Sequence, residues 1–285
     1  MPVVMPYGVQ SRAEFAYKVM NEKAISIRGL SKHFGHVPAV DDISFEVEKA
    51  EIFGFLGPNG AGKTTTINIL CTLLLPTTGE AMVNGFNVVT SPNEVRKSIG
   101  IIFQDPSLDE RLTAYENLNF HWMIYHLPAR VRKVRCVEVL NMVELYPKRN
   151  CIVRTFSGGM KRRLEIARGL MHMPKILFLD ETTIGLDPQT REHIWDYVLN
   201  LSQKERITVF FTTHYMYEAE ICHRVGIIDH GKIVALDTPA ALKEKYNAPS
   251  LNEIFLKLTG RDIREEESDD KERLGSFLRA RGKLR

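Results

Sequence analysis

Gly57-Pro58-Asn59-Gly60-Ala61-Gly62-Lys63-Thr64-Thr65 is the stretch that decides how this chain folds. An apolar run, Ile52 to Leu56, precedes it, and an apolar-periodic stretch, Thr65 to Leu75, follows it. This order predicts a buried strand, a tight glycine turn and the start of a helix. Such a turn points successive backbone N–H groups inward, and the helix N-terminus adds partial positive charge. The stretch therefore predicts a phosphate-binding loop, called the P-loop below.

The residue types in the P-loop suit a nucleotide with a bound metal ion. Glycines let the backbone approach phosphate oxygens, because no Cβ stands in the way. We expect Lys63 to reach the β- and γ-phosphates of ATP and the Thr64 hydroxyl to ligate Mg²⁺. A glycine-rich turn formed by coincidence is the alternative, and the strand and helix on either side argue against it. All nine residues from Gly57 to Thr65 are predicted to contact ATP.

A second segment, Lys175 to Glu181, is an apolar run that ends in two acids. A continuous apolar run of this length predicts a parallel strand buried on both faces. Asp180 then emerges at the carboxyl end of the strand, where it can hold Mg²⁺. Glu181 would face the γ-phosphate and orient or polarise the attacking water. Solvated acids in a surface turn are the alternative.

A third segment, Thr155 to Leu164, predicts a second anion-binding helix start. Ser157 is a favourable N-cap, and Gly158 and Gly159 follow it. Each glycine weakens a helix, so a close approach of this backbone to a ligand explains them better than capping alone. An ordinary capped helix is the alternative. Ser157-Gly158-Gly159 is called the signature segment below.

In this order the P-loop, the signature segment and Asp180-Glu181 resemble the nucleotide-binding domain of ATP-binding cassette (ABC) proteins. The resemblance runs from about Lys23 to about Ala248. It implies that Phe34 stacks on adenine and that Gln104 contacts ATP, Mg²⁺ and water and couples to a membrane partner. It also implies that Asp187, in Gly185-Leu186-Asp187, lies at a dimer interface, and that His214 contacts the γ-phosphate. Taken alone, Phe34, Gln104 and His214 would each be an ordinary surface or core residue.

The resemblance implies an α/β fold, a P-loop NTPase (RecA-like) core with a parallel sheet, an antiparallel β subdomain and an inserted helical subdomain. The expected domain runs from 23 to 248, with the helical subdomain at about 105–173. Residues 1–22 are expected to form an N-terminal extension, and 249–285 a C-terminal extension with a charged tail. Periodicity predicts helices over Thr113–His126 and Ala129–Leu145. In the tail, Glu265–Asp270 is acidic and Arg279–Arg285 is basic, and a solvated terminus is favoured over a lipid-binding one.

Composition fits a globular ATPase rather than a membrane or nucleic-acid-binding protein. The chain has 285 residues, of which 44% are hydrophobic and 26% charged. No apolar stretch has the length of a membrane span, and the first 20 residues lack the pattern of a signal peptide. A net charge of +3 is too small to argue for nucleic acid, so none is expected as a partner. The four cysteines lack Cys-x-x-Cys spacing, which favours reduced thiols in a cytosol.

The resemblance also implies a mechanism and partners. In the family, each ATP lies between the P-loop of one chain and the signature segment of the other, so a homodimer is expected. Because no membrane span is predicted, a separate transmembrane permease should dock on the Gln104 to Leu145 region, which places the chain peripherally at the cytoplasmic face of the membrane. Ser250–Arg261 and Phe156–Leu164 look like the corresponding stretches of daunorubicin-resistance export ATPases, which favours export.

Three positions depart from the family pattern. Thr182 stands where proline is usual, Ile184 where threonine or serine is commoner, and Met160 where glutamine is commoner. Loss of the proline is expected to loosen the placement of Glu181 without removing a catalytic group. Two alternative functions remain open at this stage. One is a soluble ABC-type ATPase acting on ribosomes or DNA, and the other is a scaffold that binds ATP without hydrolysing it.

Overall fold

The computed structural model describes residues 23–103, 107–125, 128–183, 186–213 and 215–260. The proposed N-terminal extension, 1–22, and the charged end of the tail, 261–285, lie outside these ranges. The strands within them are β1 (Lys23–Phe34), β2 (Val37–Glu48), β3 (Ile52–Leu56), β4 (Thr78–Val83), β5 (Phe86–Asn87), β6 (Ile99–Ile102), β7 (Ile176–Asp180), β8 (Thr208–Thr213), β9 (Arg224–Asp229) and β10 (Lys232–Asp237). The helices within them are α1 (Lys63–Leu70), α2 (Pro92–Ser98), α3 (Ala114–Ile124), α4 (Ala129–Met142), α5 (Gly158–Gly169), α6 (Pro188–Glu205), α7 (Met216–Ala219), α8 (Pro239–Tyr246) and α9 (Leu251–Thr259).

The central sheet has the order β10-β9-β3-β8-β7-β6 across the described ranges. Strands β9, β3, β8, β7 and β6 pair in parallel, and β10 closes one edge antiparallel to β9. Every residue of β3, β7 and β8 is buried, as expected for strands covered on both faces. Leu56 pairs with Thr213 and Asp180 with Thr212. The carboxyl ends of these three strands therefore meet at one edge, where the P-loop and Glu181 begin.

An antiparallel sheet of order β2-β1-β4-β5 lies beside the central sheet. Its β2 lies against β10, and its apolar face shares a core with β3 and β8. Phe45 of β2 stacks on Phe53 of β3, with ring centroids 5.4 Å apart and rings 2° from parallel. Phe210 of β8 stacks on both rings. This aromatic cluster holds the antiparallel sheet against β3 and β8 of the central sheet.

Helices α3, α4 and α5 pack on one another in the part of the chain between β6 and β7. Helix α3 begins with a capping box, in which Thr113 Oγ1 accepts from the Glu116 N–H and Glu116 accepts from the Thr113 N–H. Helices α3 and α4 end at Ile124 and Met142, earlier than predicted. Among the described helices, none is both long and apolar enough to cross a bilayer.

The helix after the P-loop is also shorter than the predicted stretch Thr65 to Leu75. It begins at Lys63 and ends at Leu70, because Thr72 takes a left-handed conformation with φ of 61°. The side chains of Leu73 and Leu75 are exposed, so their apolar character does not mark a buried helix face. The four cysteines, Cys71, Cys136, Cys151 and Cys222, are unpaired thiols.

Candidate functional site

Close packing makes glycine necessary at two positions of the P-loop. A Cβ on Gly57 would lie 2.4 Å from the Ile228 carbonyl oxygen of β9. A Cβ on Gly62 would lie 2.4 Å from the Ala39 carbonyl oxygen, and Gly62 has a φ of 111°, which L-residues rarely adopt. The loop is therefore wedged between β9 and β2. These contacts with the two strands fix the conformation of the P-loop.

Lys63 is the cation at the centre of the P-loop, and only 5% of its surface is exposed. Its Nζ donates to the carbonyl oxygens of Gly57, at 2.8 Å, and Pro58, at 3.2 Å. The same Nζ lies 3.3 Å from Glu181 Oε1. These residues border a cleft of about 340 Å³, whose lining residues are Ala39, Asn59, Gly60, Gly62, Lys63, Thr64, Thr65 and Glu181. The cleft thus joins the P-loop to Glu181, the acid that follows β7.

Asp180 ends β7 and is buried beside Thr212 and Thr64. Thr212 Oγ1 donates to Asp180 Oδ1 at 2.5 Å. Burial raises the pKa of Asp180 and the negative charge of Glu181 adds to that rise, while hydrogen bonds from Thr212 and Thr64 and the charge of Lys63 oppose it. A buried carboxylate next to a threonine hydroxyl is a pair of oxygen donors suited to a small hard cation.

These donors fit the Mg²⁺ ion that the sequence predicts. The described residues hold no group of three or more His, Cys, Asp or Glu side chains that could hold a metal ion by themselves. Mg²⁺ commonly takes one or two carboxylates from a protein and completes its octahedron with substrate phosphates and water. Asp180 and Thr64 supply such a partial set, and the cleft beside them leaves room for phosphate oxygens.

Glu181 is held at the mouth of the cleft by its backbone. Its N–H donates to Thr212 Oγ1 at 3.0 Å, and its φ of 47° lies in the left-handed region. Residues in this region persist where the surroundings hold them, and they are found often at active sites. The conformation turns the chain sharply after β7. The Glu181 carboxylate then lies beside Lys63 rather than continuing the line of the strand.

The signature segment forms the N-terminus of α5, and it does not line the cleft beside Lys63. Ser157 Oγ accepts from the Met160 N–H at 3.3 Å, which confirms the predicted N-cap. The two glycines differ. A Cβ on Gly158 would meet nothing within 4 Å, whereas a Cβ on Gly159 would lie 2.5 Å from Thr190 Cγ2. Gly158 is therefore open for close approach from outside, while packing inside the chain already accounts for Gly159.

Asp187 caps α6, the helix whose first turn touches Gly159. Its carboxylate accepts from the Thr190 N–H at 2.9 Å. Hydrogen bonds from Thr190, chiefly from its backbone N–H, lower the pKa of Asp187, so the carboxylate keeps its negative charge. Arg191 Nη2 donates to the Leu186 carbonyl oxygen at 3.0 Å. Asp187 and the signature segment thus lie on neighbouring helix starts.

Phe34 ends β1, and 53% of its surface is exposed. The Nζ of Lys32 lies 5.3 Å from the centre of its ring. An exposed aromatic face of this kind can stack on a base. Gln104, Gly185 and His214, and also Ile184, lie outside the described residues. Phe103 and Ser107 flank Gln104, and Thr213, which precedes His214, ends β8 at the edge that carries Glu181.

Sequence reasoning missed several polar residues that support the site. Thr212 holds both Asp180 and the Glu181 backbone. Glu218, which is 1% exposed, accepts from Thr183 Oγ1 at 2.6 Å and from Thr213 Oγ1 at 2.5 Å. Burial raises the pKa of Glu218. A threonine in a strand and an acid in a short helix carry no local sequence signal for these long-range contacts.

A comparison with protein families matches residues 40–184 to the ABC transporter family. Among curated proteins, the chain is 39% identical over 241 residues to the linearmycin resistance ATP-binding protein LnrL of Bacillus subtilis, covering 81% of this chain and 77% of LnrL. It is 38% identical over 248 residues to the doxorubicin resistance ATP-binding protein DrrA of Mycobacterium tuberculosis, covering 86% of this chain and 73% of DrrA.

Solved structures of similar fold include one described as the ATP-binding subunit of an ABC transporter. It is 26% identical, has a TM-score of 0.74, and covers 82% of this chain and 99% of its own. The cassette MJ0796, described as a dimer in a post-hydrolysis state bound to ADP and Pi, is 27% identical with a TM-score of 0.67. It covers 75% of this chain and 98% of its own. These matches agree with the fold that the family resemblance implies.

Proposed function

The chain belongs to the ABC transporter family as a subunit that binds and hydrolyses ATP, and we propose that it works as a homodimer driving export through a separate permease. The observation that carries the proposal is the meeting of Lys63, Thr64, Asp180 and Glu181 at one sheet edge. A phosphate-binding cation, a pair of oxygen ligands and a second acid, Glu181, are what phosphoryl transfer to water requires there.

We assign the residues of this edge the following roles. The N–H groups of the P-loop and the Lys63 ammonium hold the β- and γ-phosphates, while Phe34 stacks on adenine. Thr64 and Asp180 hold Mg²⁺, which when bound would neutralise charge on the phosphate oxygens. Glu181 orients the attacking water and takes up its proton. Its position 3.3 Å from Lys63 puts the carboxylate beside the point where the γ-phosphate would lie.

The open signature segment supports a dimer with ATP at the interface. Ser157 and Gly158 are exposed at the start of α5, and neither borders the cleft of their own chain. Backbone N–H groups at a helix start favour an anion. We propose that they bind the γ-phosphate of ATP held by the P-loop of a second copy. The dimeric state described for MJ0796, which has the same fold, supports this arrangement.

An apolar strip on α3 supports the proposed docking of a permease. Phe120, Met123 and Ile124 are all exposed, and their spacing places them on one face of the helix. They lie within the Gln104 to Leu145 region that the resemblance assigns to the permease. Adjacent exposed apolar side chains of this size are typical of interaction surfaces. The proposed location is therefore the cytoplasmic face of the membrane, through that permease.

The class of cargo is proposed from the relatives. LnrL is named for resistance to linearmycin and DrrA for resistance to doxorubicin. We propose that this chain likewise energises the export of a toxic organic compound. The permease would contact that compound, since the cleft of this chain is built for phosphate.

The experiment compares the full-length chain with Lys63→Ala. Loss of the buried ammonium should abolish both tight ATP binding, measured with a fluorescent ATP analogue, and ATP hydrolysis. Affinity purification from membranes in mild detergent should recover one polytopic membrane protein with either form. Parental ATP affinity in Lys63→Ala would contradict the assigned phosphate site, and recovery of ribosomes or DNA instead of a permease would contradict the transport role.

A further inference from the structure

Arg162, on the signature helix α5, forms three hydrogen bonds in the interior of the chain. Its Nε donates to the Thr182 carbonyl oxygen at 2.5 Å. Its Nη1 donates to the Phe103 carbonyl oxygen at 2.7 Å and to Glu165 Oε2 at 2.7 Å. Only 5% of its surface is exposed. The guanidinium is rigid and planar, so it fixes the positions of its acceptors relative to one another.

Glu165 completes the arrangement from the same helix. It is 1% exposed, and its Oε1 accepts from the Ser107 N–H at 2.8 Å. Arg168, one turn further along α5, donates to the Ser107 carbonyl oxygen at 2.6 Å. The pair Arg162–Glu165 therefore contacts the backbone on both sides of residues 104–106, at Phe103 and at Ser107. These are the described neighbours of Gln104.

The hydrogen bond from Arg162 to the Thr182 carbonyl oxygen connects the signature helix to the residue next to the proposed base, Glu181. Thr182 follows Glu181 directly and is buried. Its other neighbour, Thr183, donates its hydroxyl to the buried Glu218. The sequence predicts a loosened Glu181, because threonine replaces the usual proline at 182. In the structure, Arg162 donates to the Thr182 carbonyl oxygen and Thr183 donates to Glu218, and these hydrogen bonds hold the backbone of the turn.

We propose that the Arg162–Glu165 pair is a positioning device, which holds Glu181 in place for hydrolysis and ties that placement to the signature helix and to the backbone on either side of Gln104. Through this pair, a shift of α5 or of the Phe103 and Ser107 backbone moves the Thr182 carbonyl and with it the proposed base, Glu181. The proposal rests on the role of Glu181 in the proposed function. It adds that hydrolysis, rather than ATP binding, depends on Arg162.

The variants are chosen to separate an effect on the placement of Glu181 from an effect on folding. Arg162→Gln removes the hydrogen bonds to both carbonyl oxygens. It also leaves the buried Glu165 without its cationic partner, and an unpaired buried charge can unfold a protein. Arg162→Lys keeps the charge beside Glu165 but cannot bond both carbonyls in a fixed fork. The double variant Arg162→Met with Glu165→Leu removes both charges, an exchange that folded proteins commonly tolerate. Arg163→Gln is the matched control, because Arg163 is the next residue and contacts Val143 and Glu144 instead.

The first measurement is kcat and KM for ATP, together with Tm. We expect kcat to fall by roughly 10-fold to 10²-fold in the double variant, which is the scale of a small misplacement of a reacting group. Arg162→Lys should fall between this variant and the parent. The KM for ATP should stay within about twofold, because the P-loop contacts are unchanged. Arg163→Gln should keep the parental kcat.

The second measurement combines Arg162→Lys with Glu181→Gln in single-turnover hydrolysis. If Arg162 acts through Glu181, adding Arg162→Lys to Glu181→Gln should cause no further loss. An equal loss in both backgrounds would overturn the proposal, as would a loss of ATP affinity matching the loss of kcat, or parental kcat in the folded double variant. If Glu181→Gln alone keeps the parental rate, the assignment of the base fails instead.

Discussion

The P-loop and the signature segment are both glycine-containing helix starts, yet their surroundings within the chain differ. In the P-loop, Gly57 and Gly62 lie so close to other strands that any Cβ would clash, and Lys63 is buried against carbonyl oxygens and Glu181. At the signature segment, Ser157 is exposed and a Cβ on Gly158 would meet nothing. One region is enclosed by its own chain, and the other faces outward.

This difference separates a complete half-site from an incomplete one. The P-loop has Lys63, the proposed oxygen ligands Thr64 and Asp180, and Glu181 within one chain. The signature segment has donors, but it does not line the cleft beside Lys63. A glycine that no intrachain contact requires is explained by a surface that arrives from another molecule. The proposed ATP-bound dimer joins the two regions across an interface.

The largest expected effect comes from altering the enclosed region at Glu181. Glu181→Gln keeps the shape but removes the negative charge, so hydrolysis should fall by roughly 10²-fold or more in a steady-state ATPase assay. ATP should still bind and should hold the dimer together, as measured by light scattering in excess ATP and Mg²⁺. Glu220→Gln is the control, since Glu220 pairs with Lys243 away from the cleft. A monomeric Glu181→Gln protein under these conditions would argue against the proposed ATP-bound dimer.

A smaller effect distinguishes the two glycines of the signature segment. Gly159→Ala should destabilise the fold by about 1–3 kcal/mol through overpacking against Thr190, and adding Thr190→Ser should restore part of this loss. Gly158→Ala should leave the unfolding midpoint unchanged or slightly raised, because alanine favours a helix. Its ATPase rate should nevertheless fall by roughly tenfold, since the new Cβ lies where the partner's ATP approaches.

Thermal unfolding and ATPase assays should distinguish the two variants. Gly159→Ala should lower the unfolding midpoint, whereas Gly158→Ala should lower the ATPase rate without lowering the unfolding midpoint. If both variants lowered stability by the same amount, the contrast between an open and a packed glycine would be wrong.

The enclosed region was the more predictable of the two from sequence. Strand β3 has the predicted bounds, Ile52–Leu56, because a continuous apolar run bounded by glycine and charge has few other solutions. The predicted end of the helix after the P-loop was wrong, since no local sequence signal shows that Thr72 leaves the helical conformation. The burial of Arg162 and Glu165 was also unpredictable, because their partners at Phe103, Ser107 and Thr182 are distant in sequence. Charged residues on a helix normally indicate a solvated face.

The smallest expected effect concerns Phe34, in the β1–β2 hairpin that leads to Ala39 in the lining of the cleft. Phe34→Ala should weaken ATP binding by about 1 kcal/mol, the low end of the usual range for stacking of one base on an aromatic ring. The kcat should change little, because the ring is assigned to adenine rather than to the phosphates. Val37→Ala is the matched control, since Val37 pairs with Phe34 across the β1–β2 hairpin and is also exposed. Equal ATP affinity in Phe34→Ala and Val37→Ala would remove Phe34 from the site.

The central claim, that the outward-facing region completes the enclosed region of a second copy, is tested most directly by mixing two inactive variants. Gly158→Asp places a carboxylate against the partner's polyphosphate and should abolish hydrolysis, while its own P-loop still binds ATP. Lys63→Ala should not hydrolyse either. In a heterodimer, the intact Lys63 of the Gly158→Asp chain faces the intact Gly158 of the other chain, so we predict that ATPase activity returns on mixing. Continued inactivity of the mixture, with both variants folded and heterodimers present, would contradict the account.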